Sequence, residues 1–349
     1  MPSVNLWLNQ LDTANGNLQA FIDLIQCDAA LHLENMARTA NRLTQMNFGK
    51  TIQLFAPLYL SNECVNTCHY CGFSAPNKIR RRTLLISEVT NEAQYLYQKG
   101  FQNILLVSGE DPKAVSVPYL EQNVQRLHQF IPSLSLEVAP LETEEYLQLR
   151  LAGTEGIVVY QETYNRHLYK ELHPRGKKKD YQWRLEALER ASQAGIRRLG
   201  AGILLGLDDW RSDSIELFKH IQYLLKTCWK SFITISLPRI KPAAGDFEPL
   251  THITDKEFIQ LILAFRICLP QIGIVLSTRE NPVLRNHLIP LGITHMSAGS
   301  KTDPGGYLTS DQSEPQFYLE DIRSAQEVAA MIQQKGYEAV WKNWEFALT

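Results

Sequence analysis

Three of the six cysteines fall close together in the run from Ser61 to Phe73, which reads SNECVNTCHYCGF. Thiolates are the usual protein ligands of iron–sulfur clusters, and a ferredoxin-type [4Fe–4S] cluster takes four of them. Here the intervals hold three residues and then two, and no fourth cysteine is near. Three thiolates on a four-iron cube leave one iron open to bind something else. Cys64, Cys68 and Cys71 therefore read as the ligands of a catalytic cluster. Structural zinc, with His69 as the fourth ligand, is the competing reading. Against it, His69 would lie between two ligands in a tight loop, whereas zinc modules usually split their ligands into two distant pairs. Cys27, Cys228 and Cys268 sit in apolar, helix-like surroundings and read as small buried hydrophobes.

The elements that must carry this loop emerge from the apolar pattern. Residues 1–50 look helical, with apolar positions recurring at three and four through 21–43. Beyond them, short strand-like runs alternate with longer amphipathic ones. The strand candidates are 55–61, 103–108, 134–138, 156–161, 198–207, 232–238, 272–278 and 294–298. Helical stretches are expected over 87–99, 118–130, 143–151, 183–194, 213–225, 254–268 and 325–335. Several end at a glycine, such as Gly100, Gly153 and Gly195, which suits a left-handed cap. Eight strands alternating with helices predict an α/β fold, a parallel (β/α)8 barrel of the TIM type over 51–349 with an N-terminal helical extension over 1–50. No Gly-x-Gly-x-x-Gly follows the first strand, which weakens the alternative of a doubly wound dinucleotide fold. Barrel chemistry sits at the carboxyl ends of the strands. The cysteine loop follows strand one, Glu110 follows strand two, Glu162 strand four and Arg279 strand seven, and Ser297 closes strand eight.

The chain has 349 residues, is 44% hydrophobic and 21% charged, and carries a net charge of −2. This is ordinary for a globular protein and asks for neither nucleic acid nor a membrane surface as a partner. The longest apolar runs fall well short of the roughly 20 residues that span a bilayer. Residues 1–10 do not resemble a signal peptide, and the chain reads as cytoplasmic.

The cysteine spacing, with an aromatic residue before the third cysteine, resembles that of the radical S-adenosylmethionine (SAM) superfamily. Further segments narrow the likeness to its aromatic amino-acid lyases: 48–62 leading into the loop, Val107–Glu110, Val159–Tyr164, Ser277–Glu280, Ser297–Ser300 and Pro304–Tyr307. Within that group the sequence is most similar to the tyrosine lyases of thiamine-thiazole synthesis, from about residue 20 through Val340–Trp344. Hydrogenase-maturing relatives carry a second cluster on C-terminal cysteines; the lack of any cysteine after Cys268 counts against that role. Tryptophan-cleaving relatives stay open.

The resemblance implies a [4Fe–4S] cluster, SAM bound to its open iron, and an external one-electron donor of the flavodoxin or ferredoxin type. It implies cleavage of the Cα–Cβ bond of L-tyrosine to 2-iminoacetate (dehydroglycine) and p-cresol. It assigns Tyr70 to the adenine and Glu110 to the methionine amino group of SAM. Glu162 and Arg184 are candidates for the ribose hydroxyls and the cofactor carboxylate, with a helix-surface salt bridge as the other reading of Arg184. Arg279 would clamp the substrate carboxylate bidentately, Ser297 would add a hydrogen bond, and Tyr59 would hold the substrate backbone from the same strand face as Ser61. The basic runs Arg80–Arg82 and Lys177–Lys179 read either as solvated faces or as cofactor-facing. Thiazole synthase is the expected protein partner, with Trp341 and Trp344 either a docking surface or buried against the barrel.

Overall fold

The computed structural model describes residues 14–245, 247–309 and 312–341. Eight strands form the barrel: β1 (Thr51–Ser61), β2 (Asn103–Ser108), β3 (Ser133–Glu137), β4 (Thr154–Glu162), β5 (Arg198–Ile203), β6 (Phe232–Ser236), β7 (Gly273–Leu276) and β8 (His295–Ser297). Each pairs in parallel with the next, and β1 pairs with both β2 and β8, so the ring closes as the alternation predicts. β5 is buried throughout, whereas β1 alternates over its first half, one face against helices and the other toward the interior.

Helices α1 (Leu18–Gln26) and α2 (Ala29–Phe48) precede the barrel. α1 packs on the outer helices through Phe21, whose ring lies 4.5 Å from Phe218 and 4.7 Å from Phe265. The barrel helices are α3 (Ile86–Gln98), α4 (Val117–His128), α5 (Thr143–Ala152), α6 (Arg166–Leu172), α7 (Tyr181–Leu185), α8 (Ala187–Gln193), α9 (Trp210–Thr227), α10 (Asp255–Cys268), α11 (Pro282–Leu288) and α12 (Ala325–Gln334). Gly100, Gly153 and Gly195 all take positive φ, as their place after helices requires.

Several boundaries differ from the sequence reading. The stretch expected as one helix over 183–194 divides into α7 and α8; Arg190 donates to the Trp183 carbonyl at 2.7 Å and occupies it at the break. β5 stops at Ile203, because the chain turns at Gly206, where φ is 113°. α6 and α11 were not anticipated; both are short and start on an asparagine cap, Asn165 and Asn281. A ninth strand, β9 (Glu338–Val340), pairs with the start of β1. Behind it Trp341 packs on Phe101, ring centroids 5.3 Å apart, so this tryptophan joins the barrel wall. Trp344 lies outside the described residues. Among the described residues, no helix is long and apolar enough to cross a membrane.

Candidate active site

The cysteine loop is held in shape by its own backbone, by the segment that follows β2 and by the end of α6. Val65 N–H donates to the Glu110 carbonyl at 3.1 Å, and His69 N–H to the Leu172 carbonyl at 3.2 Å. Arg81 folds under the loop, where its guanidinium donates to the carbonyls of Asn62, Phe73 and Ser74. Arg80 pairs with Glu314, and Arg82 with Glu88. Within the basic run 80–82, Arg81 and Arg82 thus brace the loop and its neighbours, while Arg80 stays exposed. Two glycines permit the close packing. A Cβ on Gly109 would stand 2.2 Å from the Glu63 carbonyl oxygen, and one on Gly72 would stand 2.4 Å from that of Gln316.

Cys64, Cys68 and Cys71 are free thiols on this loop. Burial, then the charge of Cys71, pushes the Cys64 thiol up to about 11. Burial raises Cys68 as well, with Lys178 partly offsetting it. Such thiols ionise when a cation supplies the missing charge. Among the described residues no three Cys, His, Asp or Glu side chains converge closely enough for a single ion. His69 is exposed. With His69 turned to solvent, three soft thiolates without a fourth ligand suit a four-iron cluster with one open iron better than structural zinc.

Beside the loop lies a buried charge network. Arg184 is only 7% exposed, so it is no surface salt bridge. Its Nη1 meets Glu110 Oε1 at 2.9 Å, its Nη2 is 3.7 Å from Glu162 Oε1, and its Nε donates to the Tyr160 carbonyl. Lys178 Nζ completes the set at 2.6 Å from Glu162. Burial alone would raise both carboxyls. For Glu110, Arg184 and then Lys178 outweigh it; for Glu162, Lys178 and then Arg184 do; both carboxyls are held below the usual range. Asn66 donates to the other Glu110 oxygen at 2.7 Å. Glu162 ends β4 with φ at 71°, a conformation that a non-glycine residue adopts only when its surroundings hold it there. Of the second basic run, Lys177 and Lys179 are exposed and Lys178 turns inward.

Tyr70 donates its hydroxyl to His173 Nε2 at 2.7 Å, because His173 Nδ1 faces the Tyr169 carbonyl at 2.7 Å and must carry the ring proton. Burial holds His173 neutral, its pKa lowered to about 2. Tyr70, Cys71, Glu137, Glu162, Lys178 and Arg279 share the wall of one cavity at the carboxyl ends of the strands. The Arg279 guanidinium stacks 3.4 Å over the Phe317 ring. Among the described residues, no carboxylate lies within salt-bridge range of it.

Two expected substrate contacts stand back from that wall. Tyr59 donates to Gln316 at 2.7 Å and packs edge-on against Phe73. The β1 register slips between Tyr59 and Ser61, which interrupts the alternation assumed for them. Ser297 Oγ accepts from Thr278 N–H at 3.0 Å and so braces the chain just before Arg279. Sequence reasoning missed Glu137, His173, Asn66 and Gln316. The signal for Glu137 was available: it shares strand parity with Ser133 and Ser135 and is the charged residue at the end of an apolar run.

Comparison with known proteins follows the same outline. Residues 58–220 match the model of the radical SAM superfamily, and residues 236–338 match the biotin and thiamin synthesis associated domain. The chain is 40% identical over 336 residues to the 2-iminoacetate synthase of Salmonella typhimurium, covering 96% of this chain and 89% of that protein. It is 41% identical to that of Escherichia coli, over 92% and 86% of the two chains. The crystal structure of the hydrogenase maturase HydG from Carboxydothermus hydrogenoformans superposes with a TM-score of 0.91 at 34% identity, over 97% of this chain and 80% of that one. A loop of three thiols on a closed parallel barrel, with likeness over nearly the whole length, makes this chain a member of the radical SAM superfamily and, within it, of the 2-iminoacetate synthase family.

Proposed function

We propose that this protein is a tyrosine lyase that cuts the Cα–Cβ bond of L-tyrosine. The products are 2-iminoacetate and p-cresol, with SAM converted to 5′-deoxyadenosine and methionine, and 2-iminoacetate supplies the thiazole of thiamine. The observation that carries the reading is 40% identity to a 2-iminoacetate synthase over 96% of the chain. When bound, the cluster and SAM supply a 5′-deoxyadenosyl radical that removes one hydrogen atom from the substrate.

The protein's part is to hold and to orient. Cys64, Cys68 and Cys71 hold the cluster. Glu110 keeps acceptor capacity beyond Arg184 and Asn66, since a carboxylate takes about four hydrogen bonds, and that capacity suits the amino group of SAM. Glu162 and Arg184 stand ready for the ribose and the cofactor carboxylate, and Tyr70 for the adenine. Arg279 offers an unpaired guanidinium whose plane is fixed by Phe317, which suits a bidentate carboxylate. Fixing the carboxylate fixes the amino group, and position decides which bond reacts. Ser297 and Tyr59 support that wall from behind.

Anaerobic turnover with a reductant and SAM tests the reading. Tyrosine should yield p-cresol, and tryptophan should leave SAM uncleaved beyond background. Cleavage of tryptophan with tyrosine inert would replace it with the tryptophan-lyase reading. A flavodoxin or ferredoxin is the proposed electron donor, and thiazole synthase the proposed partner, because 2-iminoacetate hydrolyses in water and gains from direct transfer. An anaerobic pull-down that retains no synthase would overturn stable association.

A further inference from the structure

The cavity wall holds one anion and one cation that no protein group satisfies. Glu137 ends β3 and points inward, on the same strand face as Ser135, which lines the barrel interior. β3 and β7 stand four strands apart either way around the ring, so Glu137 faces Arg279 across the mouth. Both line the same cavity. Among the described residues, Glu137 has no hydrogen bond or ion pair. The neighbouring carboxylates each already face a protein cation: Glu110 pairs with Arg184, and Glu162 with Lys178. An unmatched carboxylate opposite an unmatched guanidinium is the complement of an amino-acid zwitterion.

We infer that Glu137 is a catalytic residue that pairs with the ammonium group of the substrate and takes one of its protons before the N–H bond is broken. The role rests on the tyrosine reading above. An ammonium nitrogen has no lone pair, and loss of a hydrogen atom from it leaves a radical cation. A neutral amine leaves an aminyl radical, whose unpaired electron pairs with one electron of the adjacent Cα–Cβ bond to form the neutral imine, the other electron leaving on Cβ. The proton moves from nitrogen to a Glu137 oxygen, and both electrons of that bond stay on nitrogen. The hydrogens then balance. One leaves nitrogen as an atom to the adenosyl carbon, one remains on 2-iminoacetate, and the third is the proton on Glu137. That proton, with one electron from the one-electron donor, converts the expelled 4-hydroxybenzyl radical to p-cresol.

The surroundings suit a base. Burial raises the Glu137 carboxyl to about 7, and the charge of Arg279 partly offsets it. Glu162, Lys178 and Arg184 also act on it, and the phenols of Tyr59 and Tyr160 face it. A general base works best with a pKa near the operating pH.

The test compares ligands that differ only in the ammonium group. With unreduced, cluster-loaded protein and SAM, dissociation constants are measured for L-tyrosine and for 3-(4-hydroxyphenyl)propanoate, in wild type and Glu137→Gln. Glu137→Gln should weaken tyrosine by at least about thirtyfold, the low end for removing one partner of a buried hydrogen-bonded charge pair. The deaminated analogue should change by no more than about twofold, which also reports an intact site. In wild type, kcat/KM for p-cresol should fall on the acid side through about pH 7, and the variant should lack that limb. Unchanged tyrosine binding, equal loss for both ligands, or a persistent acid limb overturns the role of Glu137 alone. A wild type that makes no p-cresol overturns the tyrosine reading, and this role with it.

Discussion

Replacing Arg279 with lysine separates charge from geometry. Lysine keeps one positive charge but loses the planar fork and the stack on Phe317 that aims it. Loss of one charge-assisted hydrogen bond to the substrate carboxylate costs about 1.5–3 kcal/mol. At 1.36 kcal/mol per decade, this is roughly ten- to a hundredfold in tyrosine affinity. The amino group also swings with the carboxylate, and a displacement of about 1 Å costs on the order of a hundredfold in rate. Arg279 touches neither the cysteine loop nor the Glu110–Arg184 pair, so iron content and SAM affinity should stay at wild-type values. The expected signature is uncoupling, with SAM still cleaved slowly and 5′-deoxyadenosine in excess over p-cresol. The assay is chromatographic quantification of both products across a tyrosine titration. A wild-type product ratio with normal tyrosine dependence would refute the clamp and leave Arg279 a structural residue.

Other perturbations probe the remaining parts of the site. Cys64→Ala, Cys68→Ala and Cys71→Ala should each abolish SAM cleavage and lower bound iron, while Cys228→Ala and Cys268→Ala, both buried in the core, should leave iron content unchanged. Gly109→Ala should do the same damage as losing a cysteine, because the new Cβ meets the Glu63 carbonyl at 2.2 Å and must displace the loop; iron analysis and the visible cluster spectrum check it. Arg184→Met should cost about 3–5 kcal/mol at neutral pH, the usual cost of breaking a buried ion pair. In wild type Glu110 and Glu162 have lowered folded values, so their stabilisation is present above the unfolded value of about 4.3 and is lost as pH falls through the folded one. In the variant Glu110 loses the larger of its two cations and burial raises its carboxyl, while Lys178 still holds Glu162 down, so the deficit should shrink as pH falls and Glu110 takes up its proton, read from denaturant midpoints at several pH values.

The barrel and the cluster loop were legible because each repeats a strong local signal. Strand and helix periods alternate along the chain, and three thiols in eight residues with no fourth nearby are a specific pattern of metal-cluster ligands. Glu110, Glu162 and Arg279 could be named as candidates because a parallel barrel sends its strand ends to one face. Glu137 was overlooked because it is the last residue of its strand rather than the first beyond it, and the apolar neighbours Leu136 and Val138 make it look like an interruption. Gln316 and Phe317 come from a long irregular connection after β8, with no period to announce which residues turn inward. The second basic run gave three equivalent lysines in sequence; only the tertiary fold turns Lys178 toward Glu162 and leaves its neighbours in solvent. The register slip inside β1 is likewise invisible to a period-two pattern, so the hydrogen bond from Tyr59 to Gln316 could not be read from the sequence.

The central claim is scission of one carbon–carbon bond, and L-tyrosine labelled with ¹³C at both Cα and Cβ tests it most directly. After anaerobic turnover with SAM and a reductant, the carbon NMR spectrum should show the Cβ label in the methyl group of p-cresol. The Cα label should appear in 2-iminoacetate or its hydrolysis product glyoxylate, with the one-bond coupling between the two labels gone. Consumption of tyrosine into any product that keeps the two labels coupled would contradict the account.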